Sequence, residues 1–580
     1  MINVFKRMGV RGLVLTLFTV LFTVLEVHFD LKIPDKMSEL TMYVQMGNDD
    51  MGKILRTGGE MLIYTFAGIA AVLISSFLVA KITSDLSATI RRDFYYKCQD
   101  MSMNEMNKFS IPSLITRATN DIVNIELAMI LGMIVLFKAP VMAGMAIRKI
   151  RNQNHDWSML TGIAIVFILV ICIAGLIMIY KKFISLQKLT DDVNSVAREN
   201  YNGTYTIRSF NYEDKRAEEF EARNLKLTKT EQFTDTVVIV INTIVTVVMN
   251  VLTVLIYLLG ASVINDAYGE EKLVIFSNML VFSTYAIQII TSLVMMIVVF
   301  IFLPKSIVSA NRISEVLDSE NTVVDGNKRI ESIDTIEFRN VDFRYPGTKD
   351  NALSSINFKL KRGETLAITG STGCGKTTLI NALMRFYDAA GGEILINGES
   401  IKNYVTDDLY RRIGYVPQKG FLFKGTIGTN IAYGCEKAEK SRFENVCRIS
   451  AVDGFLGDLP DGIDSRVLHR GDNFSGGQKQ RMSIARAIYK EPDVMVFDDS
   501  FSAVDYKTDK TIRSNLKNEY NDKIKIIVSQ RTSTIVDADK ILVLDDGVIV
   551  GSGTHEELME SCEQYKKFAD IQMKRGEDIE

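Results

Sequence analysis

Cysteine is sparse and unpatterned in this chain. Its six cysteines, Cys98, Cys172, Cys374, Cys435, Cys447 and Cys562, show no C-x-x-C spacing. That excludes a disulfide framework or a thiolate metal site as an organising feature, and reduced, packed thiols are expected. Histidine is scarcer still, at four residues: His28, His155, His469 and His555. Charge of one sign is missing too. With 67 Lys and Arg against 70 Asp and Glu the formal net charge is −3, so a nucleic-acid partner is not expected. A secretory cleavage site is also absent. Lys6, Arg7 and Arg11 precede the first apolar run, but Glu26-Val-His28-Phe-Asp30 follows it instead of small residues. A retained first helix is expected.

Charge is absent altogether from four long runs: Met61–Ala80, Met159–Tyr180, Thr236–Ile264 and Leu273–Leu303. A hydrocarbon core of about 30 Å takes roughly 20 helical residues to cross. Six spans are predicted, at about 10–31, 58–80, 127–147, 159–180, 236–264 and 273–303, and the lipid bilayer is the first partner. Beyond Pro304 the composition becomes that of a soluble α/β domain. The expected architecture is a six-helix transmembrane domain with long helical extensions over 1–312, a linker over 313–332, and an α/β domain over 333–580.

The second half carries the chemistry. Gly370-Ser-Thr-Gly-Cys-Gly-Lys376-Thr377 fits G-x-x-x-x-G-K-[ST], between an apolar strand at Thr365–Thr369 and a helical run from Thr378. Glycines let backbone N–H groups approach phosphates, and the helix N-terminus adds a favourable field. Gly370, Ser371, Thr372, Gly373, Cys374, Gly375, Lys376, Thr377 and Thr378 are therefore the expected cradle for ATP. Lys376 reaches the β- and γ-phosphates and the Thr377 hydroxyl ligates Mg²⁺. Val494-Met-Val-Phe-Asp498 ends an apolar strand in a carboxylate suited to the same ion, and Asp499 follows it.

ATP is cytosolic, so the second half lies inside. An even number of spans places the N-terminus inside as well, in agreement with Lys6, Arg7 and Arg11. The first outside loop carries Asp35, Glu39, Asp49 and Asp50, and the third carries Asp266, Glu270 and Glu271. The middle one, with Arg148, Lys149 and Arg151, is basic and dissents. The inside segments, about 81–126 and 181–235, are long and helix-forming. Limbs of about 20 residues extend roughly 30 Å, with turns expected near Phe109–Ser113 and Ser209–Tyr212 that touch the nucleotide domain. Within the spans, Glu26 and Lys138 are either a substrate-contacting pair or structural charges near an interface. Pro140 is expected to kink the third span. Asn242, Asn250 and Gln288 read as interhelical hydrogen-bonding residues.

With Phe474-Ser-Gly-Gly-Gln478-Lys-Gln-Arg481 added to the phosphate loop, the chain resembles the ATP-binding cassette (ABC) family, and the six-span half extends the resemblance to that family's exporters. The resemblance implies further roles. Tyr345 in Phe-Arg-Tyr-Pro stacks on adenine, or else is a core tyrosine. Gln418 in Tyr-Val-Pro-Gln meets Mg²⁺ and the attacking water. Ser502-Ala-Val-Asp505 crosses between paired cassettes. Two cassettes pair head to tail, so Ser475, Gly476, Gly477 and Gln478 cap the ATP held by the other one. The metal ligands are then Thr377, Gln418 and Asp498.

The departures from that pattern are informative. Strongly hydrolysing members of the family have Glu at position 499 and His at position 530, where this chain has Asp499 and Gln530. His469 stands just before Phe474, where an acidic residue is common. The catalytic set Asp499, Gln530 and Gln418 thus implies an ATPase and translocase with intact binding and weak hydrolysis at its own site. One cassette and six spans make a half-transporter. Pairing with a different half bearing Glu and His would give a heterodimeric, multidrug-type bacterial exporter in the cell membrane, with both termini cytoplasmic. A homodimeric exporter with slow turnover and an ATP-gated, non-transporting regulator are the alternatives; an importer is disfavoured because both parts share one chain. The transported substrate is not readable.

Overall fold

A computed structural model describes residues 7–45, 51–151, 155–269, 271–435 and 439–577. Lys6, Asp49, Asp50 and Glu270 lie outside them. The chain divides into two compact units: Met1–Lys97 with Pro112–Asp318, and Cys98–Ile111 with Ser319–Glu580.

The first half of the chain is helical: α1 (Gly9–Gln45) and α2 (Met51–Asp100) precede the short α3 (Met103–Phe109). Then come α4 (Ile111–Ile150), α5 (His155–Asn202), α6 (Glu213–Asp266) and α7 (Glu271–Leu317). All except α3 contain an apolar window long enough to cross a membrane, six in total among the described residues. At 1.5 Å per residue, helices of 47 to 54 residues such as α2, α6 and α7 are roughly 70–80 Å long. They exceed the bilayer, as the polar segments flanking the apolar windows require. The chain turns where expected: Ser110 and Asn211, both at positive φ, interrupt the helices after Phe109 and Ser209.

Val27 and Leu31 of α1, Met142 and Ala146 of α4, and Phe282, Tyr285 and Ile289 of α7 form the buried core of the first unit. Asp35 and Glu39 lie on α1, not in a loop, because the helix runs on to Gln45. Ion pairs hold that charged extension. Lys36 bridges Glu39 and Glu60 at 2.8 and 2.9 Å, and Asp35 meets Lys149 at 2.5 Å. The dissenting basic segment is thus partly neutralised by the acidic one. Pro140 has no N–H for the Leu136 carbonyl, and the five residues Gly132–Leu136 form a π turn. The helix absorbs the proline through that turn and continues. Asn242 and Asn250 are exposed on α6. Gln288 departs from its expected role: its Oε1 is buried and has no hydrogen-bond partner.

The second unit is built on β1 (Thr335–Phe343), β2 (Leu353–Lys361), β3 (Thr365–Gly370), β4 (Gly391–Ile396), β5 (Glu399–Ser400) and β6 (Ile413–Val416). β7 (Gly425–Thr426), β8 (Arg466–Val467), β9 (Val494–Asp498), β10 (Ile524–Val528), β11 (Lys540–Asp545) and β12 (Val548–Gly553) complete it. An antiparallel sheet runs β2-β1-β4-β5, and a six-stranded sheet runs β12-β11-β3-β10-β9-β6. In the latter only the β11–β12 pair is antiparallel. Every residue of β9 and β10 is buried. The apolar run Val494–Phe497 of β9, and β10 with its single interruption at Lys525, suit central parallel strands covered on both faces. The helix α3 belongs to this unit, and Asn107 Nδ2 on it donates to the Tyr387 hydroxyl at 2.8 Å. The first of the two expected turns therefore does meet the nucleotide domain.

Candidate nucleotide site

Strand register brings the site together. Val528 of β10 pairs with Ile368 of β3 on one side and Asp498 of β9 on the other, and Val416 of β6 pairs with Phe497. Four parallel strands thus end level. The loops leaving them carry the phosphate loop, Asp498–Asp499, Ser529–Gln530 and Gln418. Ligands of open α/β sheets bind at such carboxyl ends. A cavity of about 200 Å³ lies there, lined by Thr372, Gly373, Gly375, Lys376, Thr377, Thr378, Gln418, Asp498, Asp499, Val528, Ser529 and Gln530.

The loop leads into α8 (Lys376–Leu383). Gly370 has φ 147°, and a Cβ there would stand 2.1 Å from the Leu544 carbonyl oxygen. No other residue fits that approach. Lys376 Nζ donates to the carbonyls of Gly370 and Ser371 at 2.9 and 2.6 Å, closing the loop on its own ammonium. Cys374 is buried behind it, its Sγ 3.7 Å from Lys376 Nζ, and serves as packing.

Thr377 Oγ1 donates to Asp498 Oδ1 at 3.3 Å. Burial pushes the Asp498 carboxyl above its ordinary range and the neighbouring Asp499 adds to this, while hydrogen bonds from Thr377 and Tyr415 pull it down. A dication would relieve that buried charge. The donors are hard oxygens and only one or two are carboxylates, which fits Mg²⁺ shared with substrate phosphates. Among the described residues no group of three or more His, Cys, Asp or Glu gathers as a metal cage.

Asp499 sits at φ 48°, a left-handed conformation that Asp tolerates, fixed by its N–H to the Val528 carbonyl at 3.0 Å. Gln418 Nε2 donates to Asp499 Oδ2 at 3.3 Å. Gln530 Nε2 reaches Thr372 Oγ1 at 3.4 Å across the mouth of the loop. The three residues expected to handle the attacking water therefore face one cavity with Lys376, Thr377 and Asp498.

Other expected residues lie elsewhere. Tyr345 is half-buried outside that lining. Its hydroxyl donates to Thr378 Oγ1 at 3.2 Å, and its ring meets Tyr387 edge-on at 5.5 Å. Ser475–Gln478 is also outside it, at the start of α9 (Gly476–Tyr489). Ser475 and Gln478 form a reciprocal capping box, Ser475 N–H to Gln478 Oε1 at 2.9 Å and Gln478 N–H to Ser475 Oγ at 3.3 Å. Ser475 and Gly476 face outward. Asp505 caps α10 (Tyr506–Glu519) by accepting from Thr508 N–H at 3.0 Å. Ser502 ties the same loop to the Asp499 carbonyl at 2.8 Å.

Two contributors were not anticipated. Gln572 on α11 (Glu563–Glu577) donates to the Gln530 carbonyl at 2.7 Å and accepts from Thr532 N–H at 2.7 Å, fixing the loop after β10. No motif marks it. Tyr415 hydrogen-bonds Asp498 from the neighbouring strand. Its place in Tyr-Val-Pro-Gln418, one residue before the carboxyl end of β6, was the available signal.

Residues 353–502 match the family profile described as ABC transporter, and residues 16–293 match the ABC transporter transmembrane region. An uncharacterized ABC transporter ATP-binding protein of Mycobacterium tuberculosis is 31% identical over 532 residues, 90% of this chain and 89% of that protein. Another, from Bacillus subtilis, is 30% identical over 538 residues, 91% of each. A bacterial Atm1-family ABC exporter solved with ATP bound superposes with a TM-score of 0.82 at 22% identity, covering 97% of this chain and 99% of that one. That last likeness concerns the fold.

Proposed function

This chain belongs to the ABC transporter family, and we propose that it works as one half of a heterodimeric exporter whose own ATP site binds nucleotide but hydrolyses it weakly. The observation that carries this reading is the company Asp499 and Gln530 keep. Both face the cavity that holds the complete binding set, Lys376, Thr377 and Asp498. Asp499 is one methylene shorter than Glu, and Gln530 offers an amide where an imidazole would hold and move a proton. A lost or misplaced general base costs about 10²–10⁴ in rate, or roughly 3–5 kcal/mol of barrier. Neither change touches a phosphate or Mg²⁺ contact.

In this reading Lys376 and the loop amides hold the β- and γ-phosphates, and Thr377, Asp498 and Gln418 hold Mg²⁺, which screens the charge between them. Tyr345 faces the adenine. Gln418, bonded to Asp499, orients the water that Asp499 is too short to deprotonate well. Ser475–Gln478, which do not line this cavity, cap the partner's ATP, where Glu and His complete a competent site. Residues 1–312 form the translocation domain, spanning the bacterial cell membrane with both termini cytoplasmic, and residues 333–580 form the cassette.

The test is the purified chain alone, assayed for Mg²⁺–ATP binding and for phosphate release. Saturable binding with little turnover is expected. Brisk turnover sinks the degenerate-site reading and returns the homodimeric exporter.

A further inference from the structure

The cassette holds a further cavity, of about 350 Å³, against one face of the six-stranded sheet, a volume suited to a small molecule. Strand register assembles its floor. Thr365 of β3 pairs with Lys525 of β10, and Phe497 of β9 pairs with Ile527, two residues further along β10. Residues two apart on a strand share a face. The helix α10 supplies a wall, with Lys510, Arg513 and Lys517 recurring at helical spacing, and Asp537, Ala538 and Asp539 ahead of β11 complete the lining. Thr365, Lys525 and Asp539 stand at the amino ends of their strands, so the cavity reaches the end of the sheet opposite the phosphate loop. The ATP cavity shares no lining residue with it.

Charge defines what fits. Four lining side chains are cationic and two are carboxylates. Arg513 is matched by the buried Asp509, 2.8 Å away. That leaves Lys510, Lys517 and Lys525 against Asp537 and Asp539, one positive charge in excess. Lys510 and Lys517 are exposed and have no ion-pair or hydrogen-bond partner among the described residues. Lys525 is only 5% exposed. Its Nζ donates to two neutral groups, the Tyr520 and Lys523 carbonyls, at 2.7 and 3.2 Å, and no carboxylate pairs with it among the described residues. Burial pushes this ammonium below the usual lysine range, Asp539 and Asp522 pull it back up, and Lys517 pushes it down again. A buried charge without a counter-charge is a standing cost, and an anion near it offsets that cost.

We infer that this cavity binds a small organic anion, an apolar body carrying one acidic head such as a carboxylate or sulfonate. Lys510 and Lys517 receive the head, and Lys525 adds its charge from the floor. The body lies against Leu516, Ile527 and Ala538. The site does not depend on the proposed pairing.

The test uses the full chain in zwitterionic lipid nanodiscs, with empty discs as the blank and Mg²⁺–ADP saturating the phosphate-loop site so that the probe cannot enter it. Naphthalene-2-sulfonate, anionic, is compared by calorimetry with naphthalene-2-sulfonamide, neutral and of nearly the same shape. The sulfonate is expected to bind saturably and at least about fivefold tighter, the discrimination that two exposed ion pairs supply together. The variant Lys510→Gln/Lys517→Gln changes two exposed side chains that hold nothing in place, so the fold and Mg²⁺–ADP affinity should not move. It should lose about fivefold in sulfonate affinity and none in sulfonamide affinity. Sulfonamide binding as tight as sulfonate binding in the unaltered chain overturns the inference, and so does a lack of saturable sulfonate binding. Full sulfonate affinity in the double variant overturns it as well, because the anion is then held elsewhere.

Discussion

At the scale of single residues, the site contrasts side chains that hold with side chains that react. Lys376 is locked to two loop carbonyls at 2.9 and 2.6 Å. Thr377, Asp499 and Gln530 have longer contacts, at 3.3, 3.3 and 3.4 Å. Gln530 is tied through its main chain to Gln572, so position 530 is already placed at the cavity whatever its side chain. Replacing Asp499 by Glu should therefore extend a correctly aimed carboxylate, and Gln530→His should add the missing imidazole without rebuilding the loop. The double variant Asp499→Glu/Gln530→His of the purified chain is expected to release phosphate about 10²-fold faster or more, and Asp499→Glu alone by less. Nucleotide affinity should stay the same in both. An unchanged rate in the double variant would show that something other than these two side chains limits hydrolysis.

At the scale of elements, the capping box at α9 is a local device that the proposed pairing would use at the partner's ATP. Ser475 satisfies the Gln478 N–H, and Gln478 returns the bond. Ser475→Ala should destabilise the cassette by about 1 kcal/mol, read as a small drop in chemical-denaturation midpoint. This chain's own ATP affinity should not change, because Ser475 is not part of that cavity. In the assembled transporter the same variant should slow turnover at the partner's site. Loss of ATP binding by the isolated variant would place the element differently.

Elements of this kind are where the sequence was most legible. A glycine loop between an apolar strand and a helix has one physical purpose, and Val494–Asp498 announces a buried parallel strand ending in a carboxylate. Long charge-free runs read equally well as spans. What stayed hidden depends on contacts between segments far apart in the chain. The helix α1 runs on through Asp35 and Glu39 because Lys149 and Glu60–Lys36 pairs hold it there, and nothing near Asp35 in sequence says so. Gln572 lies 42 residues from Gln530, which it holds. Gln288 read as interhelical glue because sequence shows an amide's capacity to bond but not whether a partner comes within reach.

At the scale of the whole molecule, the heterodimer we propose would be an asymmetric machine. In it, the phosphate loop and Asp498–Asp499 of this chain would make one ATP site together with a partner's signature. Ser475–Gln478 would make the other together with the partner's phosphate loop. Removing the ammonium at each loop in turn separates their duties. Lys376→Ala in this chain empties a site that contributes little hydrolysis, so the remaining site should still turn over, slowed only by weaker cassette closure. The equivalent Lys→Ala in the partner empties the site that has Glu and His, and should lower turnover by about 10² or more. Phosphate release by the reconstituted pair measures both. A several-fold effect on one side and near abolition on the other is the expected result. Equal loss from either substitution means that both sites hydrolyse, and this chain then works as half of a symmetric pair.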